Sequence, residues 1–177
     1  MAAGKPLASD PIDEARRQWE AHGWAEAAPG MAMVTSIMRA QQLFIGRVDQ
    51  VLADLNLTFA RYEVLMLLLF SRRGALPLGK VGARLQVHPA SVTNAVNRLE
   101  ADGLVVRQPH PTDRRGTLAE ITATGRDVAQ RATEALNTSV FEATGLTPRQ
   151  LDQLFGLLRR LRQAEGDFAE TGEVFAD

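Results

Sequence analysis

The sequence predicts a mainly α-helical fold built on a winged helix-turn-helix, with a small β-hairpin wing set between long helices at both ends. Three observations lead there. Two short helical patterns, "LPLGKVGARLQ" and "HPASVTNAVNRLEADGL", follow one another across a brief break. Two β-prone runs, near 104–108 and 118–122, come directly after them and enclose a Pro/Asp/Gly-containing loop. Outside this unit the apolar residues recur at helical spacing, on both sides.

Residues 1–9 are small and polar and are expected to form a disordered tail. Residues 10–57 then form an extension helix and a second helix. In "DPIDEARRQWEAHGW", Asp10 caps, Pro11 suits the first helical position, and Asp13 and Glu14 lie where the helix dipole favours acids. Ile12, Ala15 and Trp19 share a face, and Gly23 ends the helix. The second helix is expected after Pro29–Gly30. Val34, Ile37, Gln41, Phe44, Val48, Val51 and Leu55 alternate three- and four-residue steps, a seam with one polar interruption. A core helix explains that spacing, and so does packing between chains.

Residues 58–122 form the central unit. "LTFARYEVLMLLLFSRRG" is apolar nearly all round, hence buried, with Thr58 as N-cap and Arg72–Arg73–Gly74 as a basic stop. The two short helices and the hairpin follow, Pro89 opening the second helix and Gly103 stopping it. Residues 123–177 return to helix through "TATGRDVAQRATEALNTSVFEATG", then "LTPRQLDQLFGLLRRLRQAEGDF". Thr147 and Gln150 make a capping box, and Leu151, Leu154, Leu158 and Leu161 form a second seam.

Composition narrows the chemistry. Of 177 residues, 45% are hydrophobic, and the net charge is −1. The charge is unevenly placed. Residues 58–122 hold nine Lys/Arg against five Asp/Glu, while the remainder holds eleven against sixteen. A basic middle between acidic ends fits a polyanion-binding centre; a solvated charged face is the plainer alternative. The chain has no cysteine, which excludes disulfides, thiolate metal sites and thiol redox sensing. Its three histidines are widely spaced, so neither a metal site nor an acid–base cluster is expected. No Gly-rich phosphate loop and no Ser/Cys–His arrangement supports an enzyme. The longest apolar run, "VLMLLLF", is too short to span a bilayer, and the N-terminus has no apolar signal segment. A cytoplasmic chain without membrane partners is the expectation.

The helix at 88–104 carries the most information. At about 100° per residue, Val92, Ala95, Val96 and Leu99 fall on one side. The other side carries Ala90, Asn94 and Asn97, flanked by Ser91, Thr93 and Arg98. An ordinary solvated face would carry Glu and Lys; asparagine is a poor helix former, yet two lie here one turn apart. Asparagine can both donate to and accept from an adenine edge in the major groove, and Ser/Thr serve bases or phosphates. That reading explains the loop "PTDRRG". A wing beside such a helix lies over the adjacent minor groove, where arginine is favoured. Arg114 or Arg115 would enter it, Asp113 would hold one guanidinium in place, and Gly116 supplies backbone freedom. The plainer reading is a solvated turn with an incidental ion pair.

"LTFARYEVLMLL", "VTNAVNRLEADGLVVR", "DRRGTLAEITATG" and "LTPRQLDQL" together resemble the MarR family of regulators, from about Met31 to Glu165. The resemblance implies N- and C-terminal dimerisation helices, with Val34, Ile37, Phe44, Leu151, Leu154, Leu158 and Leu161 at the homodimer seams. It implies two recognition helices in successive major grooves of double-stranded DNA, about 34 Å apart. Base contacts then fall to Ala90, Ser91 and Asn94, as on the wheel, which adds Asn97. The wing contact falls to Arg114 or Arg115, with Arg115 favoured. Lys80, Arg84, His88, Thr93 and Arg98 are the candidates for phosphate contacts. The resemblance further implies repression relieved by a small aromatic or anionic effector, with no resident cofactor. The lack of cysteine departs from the peroxide-sensing members. The extra helix with Trp19 and Trp24 is similar to a feature of the urate-responsive branch, with Glu63 at that branch's acidic position; Trp19 covering an apolar patch is the alternative. A winged-helix interaction module without specific DNA binding is the alternative function.

Overall fold

Caps and prolines fix where the helices begin. The computed structural model describes residues 7–110 and 116–169. Helix α1 (Pro11–Ala21) is capped by Asp10, whose side chain accepts the Ile12 N–H at 2.8 Å. Helix α2 (Ala28–Ala53) starts ahead of the expected position, with Pro29 inside its first turn. A proline there costs no hydrogen bond, because the first donors of a helix have no intrahelical acceptor. Helix α3 (Phe59–Phe70) is capped by Thr58 and closed by Ser71, so Arg72 and Arg73 lie beyond its last turn rather than forming a basic stop. Gly74, with φ of +70°, turns the chain there.

The next three residues form a strand that periodicity does not reveal. Strand β1 (Ala75–Pro77) pairs antiparallel with β3 (Thr117–Ile121), Leu76 opposite Ala119. It is too short to show alternation and it ends in proline. Pairing with the wing, not local propensity, makes it a strand. Helices α4 (Leu78–Leu85) and α5 (Pro89–Ala101) follow, then β2 (Val105–Pro109). The sheet order is β1-β3-β2, so the expected hairpin sits in a three-stranded sheet with β3 central. Helix α6 (Ala123–Leu136) does not run on as expected; it loosens into a π-helical turn at Asn137–Phe141. Helix α7 (Pro148–Ala164) has the Thr147/Gln150 capping box.

The core lies where α3, α5, α6 and the sheet meet. Leu52, Val64, Leu65, Leu68, Val81, Val96, Leu99, Val105 and Leu136 are buried in one cluster. The Tyr62 hydroxyl lies 3.0 Å from Thr133 Oγ1 and links α3 to α6. The α2 seam divides. Val48 is buried and Val51 and Leu55 are partly buried against this core, whereas Val34 (46% exposed), Ile37 and Phe44 stand open. Helix α7 buries none of its residues; Leu151, Leu154 and Leu161 are exposed and Leu158 is partly buried. The core explanation of the α2 spacing therefore holds for the later half of the helix, and the earlier half is left exposed.

Gly125 sits where α6 passes over the end of α5. A Cβ there would lie 2.1 Å from the Leu104 carbonyl oxygen, which is backbone and cannot swing away. Gly125→Ala is expected to destabilise the chain by about 1–3 kcal/mol through overpacking. The denaturant midpoint reads this directly; an unchanged midpoint would mean the crossing has slack.

Candidate nucleic-acid interface

Helix α5 divides as the wheel requires. Val92, Ala95, Val96 and Leu99 are buried, and Ala90, Ser91, Thr93, Asn94, Asn97 and Arg98 are exposed. His88 caps this helix: its Nδ1 accepts the Ala90 N–H at 3.2 Å. That bond requires Nδ1 without a proton, so in the neutral ring Nε2 carries it and remains a donor. The Thr93 hydroxyl donates to the Pro89 carbonyl at 3.0 Å, leaving its oxygen only as an acceptor. A phosphate also accepts only, so the cap leaves His88 suited to a phosphate and the back-bond leaves Thr93 unsuited.

The remaining outward groups differ in how free they are. The side chains of Ser91, Asn94 and Arg98 make no hydrogen bond or ion pair among the described residues. Asn97 does: its Oδ1 accepts from Arg107 Nη2 at 2.5 Å. Arg107 lies on β2, and its guanidinium also pairs with Glu100. Composition counts Arg107 as one more cation; the signal for its contact is Asn97 and Glu100 three residues apart, facing a strand that starts directly after Gly103–Leu104.

A groove of about 450 Å³ runs between the start of α3 and α5, lined by Thr58, Arg61, Ser91, Asn94, Arg98 and Asp102. Arg61 Nη1 bonds Asp102 Oδ2 at 3.3 Å, which fixes the α3 N-terminus to the end of α5. Arg98 thus remains the uncompensated cation of this groove. On α4, Lys80 is exposed and Arg84 partly buried, each engaged in a side-chain interaction. The His110 N–H donates to the Gly116 carbonyl at 3.1 Å and closes the base of the wing. Asp113, Arg114 and Arg115, the expected tip residues, lie outside the described residues.

Three features lie away from this face. A groove of about 480 Å³ between α3 and α6 is walled by Met66, Leu69, Phe70 and Thr133, with Arg126 and Glu134 also lining it. Glu63, on α3, has its carboxyl pushed above the ordinary value because burial disfavours the charged form. Trp19 is partly buried on α1, which packs along α2, and meets Trp24 edge-on with ring centroids 5.3 Å apart. Trp24 also stacks on His22 at 5.9 Å. Among the described residues no helix is long and apolar enough to cross a membrane, and no group of His, Cys, Asp and Glu could hold a metal ion.

A helix pair packed on a three-stranded sheet, with one exposed polar helix face beside a wing, defines the winged helix-turn-helix class. The comparisons are more particular. The model of the MarR family matches residues 55–116. The chain is 50% identical to Sco5413, a MarR family transcriptional regulator from Streptomyces coelicolor, over 80% of this chain and 99% of that one, with a TM-score of 0.73. Sco3205, a MarR family transcriptional regulator from the same organism solved in complex with DNA, is 29% identical over 82% and 91%, with a TM-score of 0.67. An uncharacterised regulator of Bacillus subtilis, YkoM, is 31% identical over 99 residues, which span 55% of this chain and 64% of that protein. The chain belongs to the MarR family. Its relatives are transcriptional regulators and not enzymes.

Because the Glu63 carboxyl is raised in the folded state, that state holds a proton which the unfolded chain has already released. Stability therefore falls as pH rises through this window. Glu63→Gln is expected to stabilise the fold at pH 7, with the gain vanishing below the ordinary value of 4.5. Urea unfolding of both proteins at the two pH values checks this; equal midpoints at pH 7 would remove the burial argument.

Proposed function

We propose that this chain is a homodimeric repressor that binds a pseudo-palindromic DNA duplex and is released by a small aromatic or anionic effector. The observation that carries the reading is the outer face of α5. Ser91 and Asn94 have unspent hydrogen-bonding groups and Arg98 an unspent charge, beside a basic groove and a wing. Ala90, Ser91 and Asn94 meet base edges in the major groove. Lys80, Arg84, His88 and Arg98 meet phosphates. Arg115, with Arg114 beside it, enters the minor groove, and Asp113 orients the pair. Thr93 contributes at most an acceptor, because its proton is bound to Pro89.

The dimer follows from the uncovered seams. Val34, Ile37 and Phe44 on α2 and Leu151, Leu154 and Leu161 on α7 are apolar, regularly spaced and exposed in a single chain. A second copy is the partner that supplies complementary seams. The effector reading is supported by the α3–α6 groove, which is mainly apolar and lies between the reading unit and a C-terminal helix, with Arg126 and Glu134 both in its lining.

Selection of bound sites from a random duplex pool at two salt concentrations tests the reading. An enriched inverted repeat with half-sites about one helical turn apart is expected. Loss of a good base contact in Asn94→Ala should cost about 1–3 kcal/mol, roughly 5- to 150-fold in affinity, with preference relaxed at one base pair of each half-site. Arg115→Ala should weaken binding and erase preference in the flank, with the dimer intact. Unchanged affinity in both variants would sink these assignments. No salt-dependent binding to any duplex would favour an interaction module. Ile37→Glu and Leu154→Glu should each shift the protein to monomer in light scattering; a dimer surviving both would place the interface elsewhere.

A further inference from the structure

Helix α5 and strand β2 are joined twice. The backbone joins them through the turn at Asp102–Gly103, where Gly103 has φ of +70°. Side chains join them again at Arg107, in the middle of β2 and opposite Ala119 of β3. One guanidinium nitrogen pairs with the Glu100 carboxylate. The Arg107 backbone N–H donates to the other Glu100 oxygen at 3.3 Å. The second terminal nitrogen donates to Asn97 Oδ1 at 2.5 Å. Strand β2 is an edge strand, so this outward N–H has no ladder partner and Glu100 supplies one.

Two consequences follow. A bidentate adenine contact needs an asparagine oxygen to accept and its amide nitrogen to donate. The Asn97 oxygen already accepts from Arg107, which occupies one lone pair and turns the amide toward the strand, whereas Asn94, one turn earlier, keeps both groups and is free to turn. The two asparagines therefore have different tasks. Moreover, the contact lies between the pivot at Gly103 and the outer part of the wing. Without it, the start of β2 is still held by the Leu104 crossing, by Val105 in the core and by pairing with β3, but the hydrogen bonds that tie the outer half of the strand to α5 are lost.

We propose that Asn97, together with Glu100, is a positioning residue that holds Arg107 and so locks the wing at a fixed angle to α5, letting helix and wing meet a duplex as one rigid surface. The proposal rests on the duplex-binding reading above. It assigns Asn97 to wing geometry and leaves base reading to Asn94 and its neighbours.

The test is site selection with the full-length protein, its Asn97→Ala, Glu100→Ala, Arg107→Ala and Asn94→Ala variants, and the Asn97→Ala/Arg107→Ala double variant. Thermal unfolding of each confirms that it is folded. Asn97→Ala and Glu100→Ala should both lose enrichment at the flank beneath the wing while keeping the half-site bases. Asn94→Ala should do the reverse. In the double-mutant cycle, Asn97→Ala should add nothing to the loss already caused by Arg107→Ala, because it acts through that residue. Should Glu100→Ala unfold, the cycle still decides. Relaxed preference at a half-site base in Asn97→Ala, additive with Arg107→Ala, would make Asn97 a base reader and overturn the proposal. A parent protein that enriches no site would overturn the duplex-binding reading and this proposal with it, an outcome visible before any variant is compared.

Discussion

The reading unit depends on the crossing of the chain at Leu104. The Leu104 N–H donates to the Leu99 carbonyl at 2.8 Å and so closes α5. The Leu104 carbonyl accepts the Thr122 N–H at 3.1 Å, bringing the return of the wing back to its start. Thr122 then caps α6, its hydroxyl oxygen accepting the Gly125 N–H at 2.9 Å while its proton bonds the Gly103 carbonyl at 2.8 Å. The end of α5, both ends of the wing and the start of α6 are thus tied within a few atoms. The approach is close enough that only glycine fits at 125. Three elements that bury apolar area separately acquire one common geometry here, and no side chain elsewhere in the unit fixes as much.

Given that geometry, what α5 offers outward depends on which polar groups are already used. The buried side is wholly apolar, so no outward residue is required by the core. The cap occupies His88 Nδ1, the helix backbone occupies the Thr93 proton, and the wing occupies the Asn97 oxygen. Ser91, Asn94 and Arg98 are left. Each asparagine costs the helix about 0.5 kcal/mol against alanine. At 97 that cost is offset by a charge-assisted hydrogen bond within the chain. At 94 nothing within the described residues offsets it, which is why 94, rather than both positions, is the stronger pointer to an external ligand.

The helices were legible in the sequence because their signals are local. Asp10, Thr58, Thr147 with Gln150, and Gly103 are caps and stops that act within a few residues of themselves. The split of α5 into two faces was legible because a helix has a fixed period. What was not legible came from distant partners. Strand β1 exists because β3 lies beside it, over forty residues on. The π-helical turn after α6 carries no propensity signal; there Arg47, from α2, donates to the carbonyls of Ser139 at 2.6 Å and Ala143 at 3.1 Å. Asn97 looked like a twin of Asn94 because a helical wheel shows direction and not neighbours. The wing tip depends on residues outside the described structure, and its chemistry still rests on the sequence.

These contacts also constrain how an effector could act in the proposed reading. Helix α2 belongs to two environments: its later half is in the core and its earlier half lies open to a second copy. Arg47 ties it to the end of α6, and the Leu104 crossing ties the start of α6 to α5 and the wing. From the dimer seam to the outward face of α5 the chain of fixed contacts is continuous, with no flexible linker. A molecule entering between α3 and α6 cannot act by loosening a tether. It has to favour an arrangement in which these two helices sit differently; they are held by core packing and by the Thr133 hydroxyl, which meets the Tyr62 hydroxyl at 3.0 Å and Met66 Sδ at 3.3 Å. A ligand shifts such an equilibrium only by its differential affinity, about 5.5 kcal/mol to carry it from 1:99 to 99:1. A small molecule that filled the groove equally well in both arrangements would bind without releasing anything.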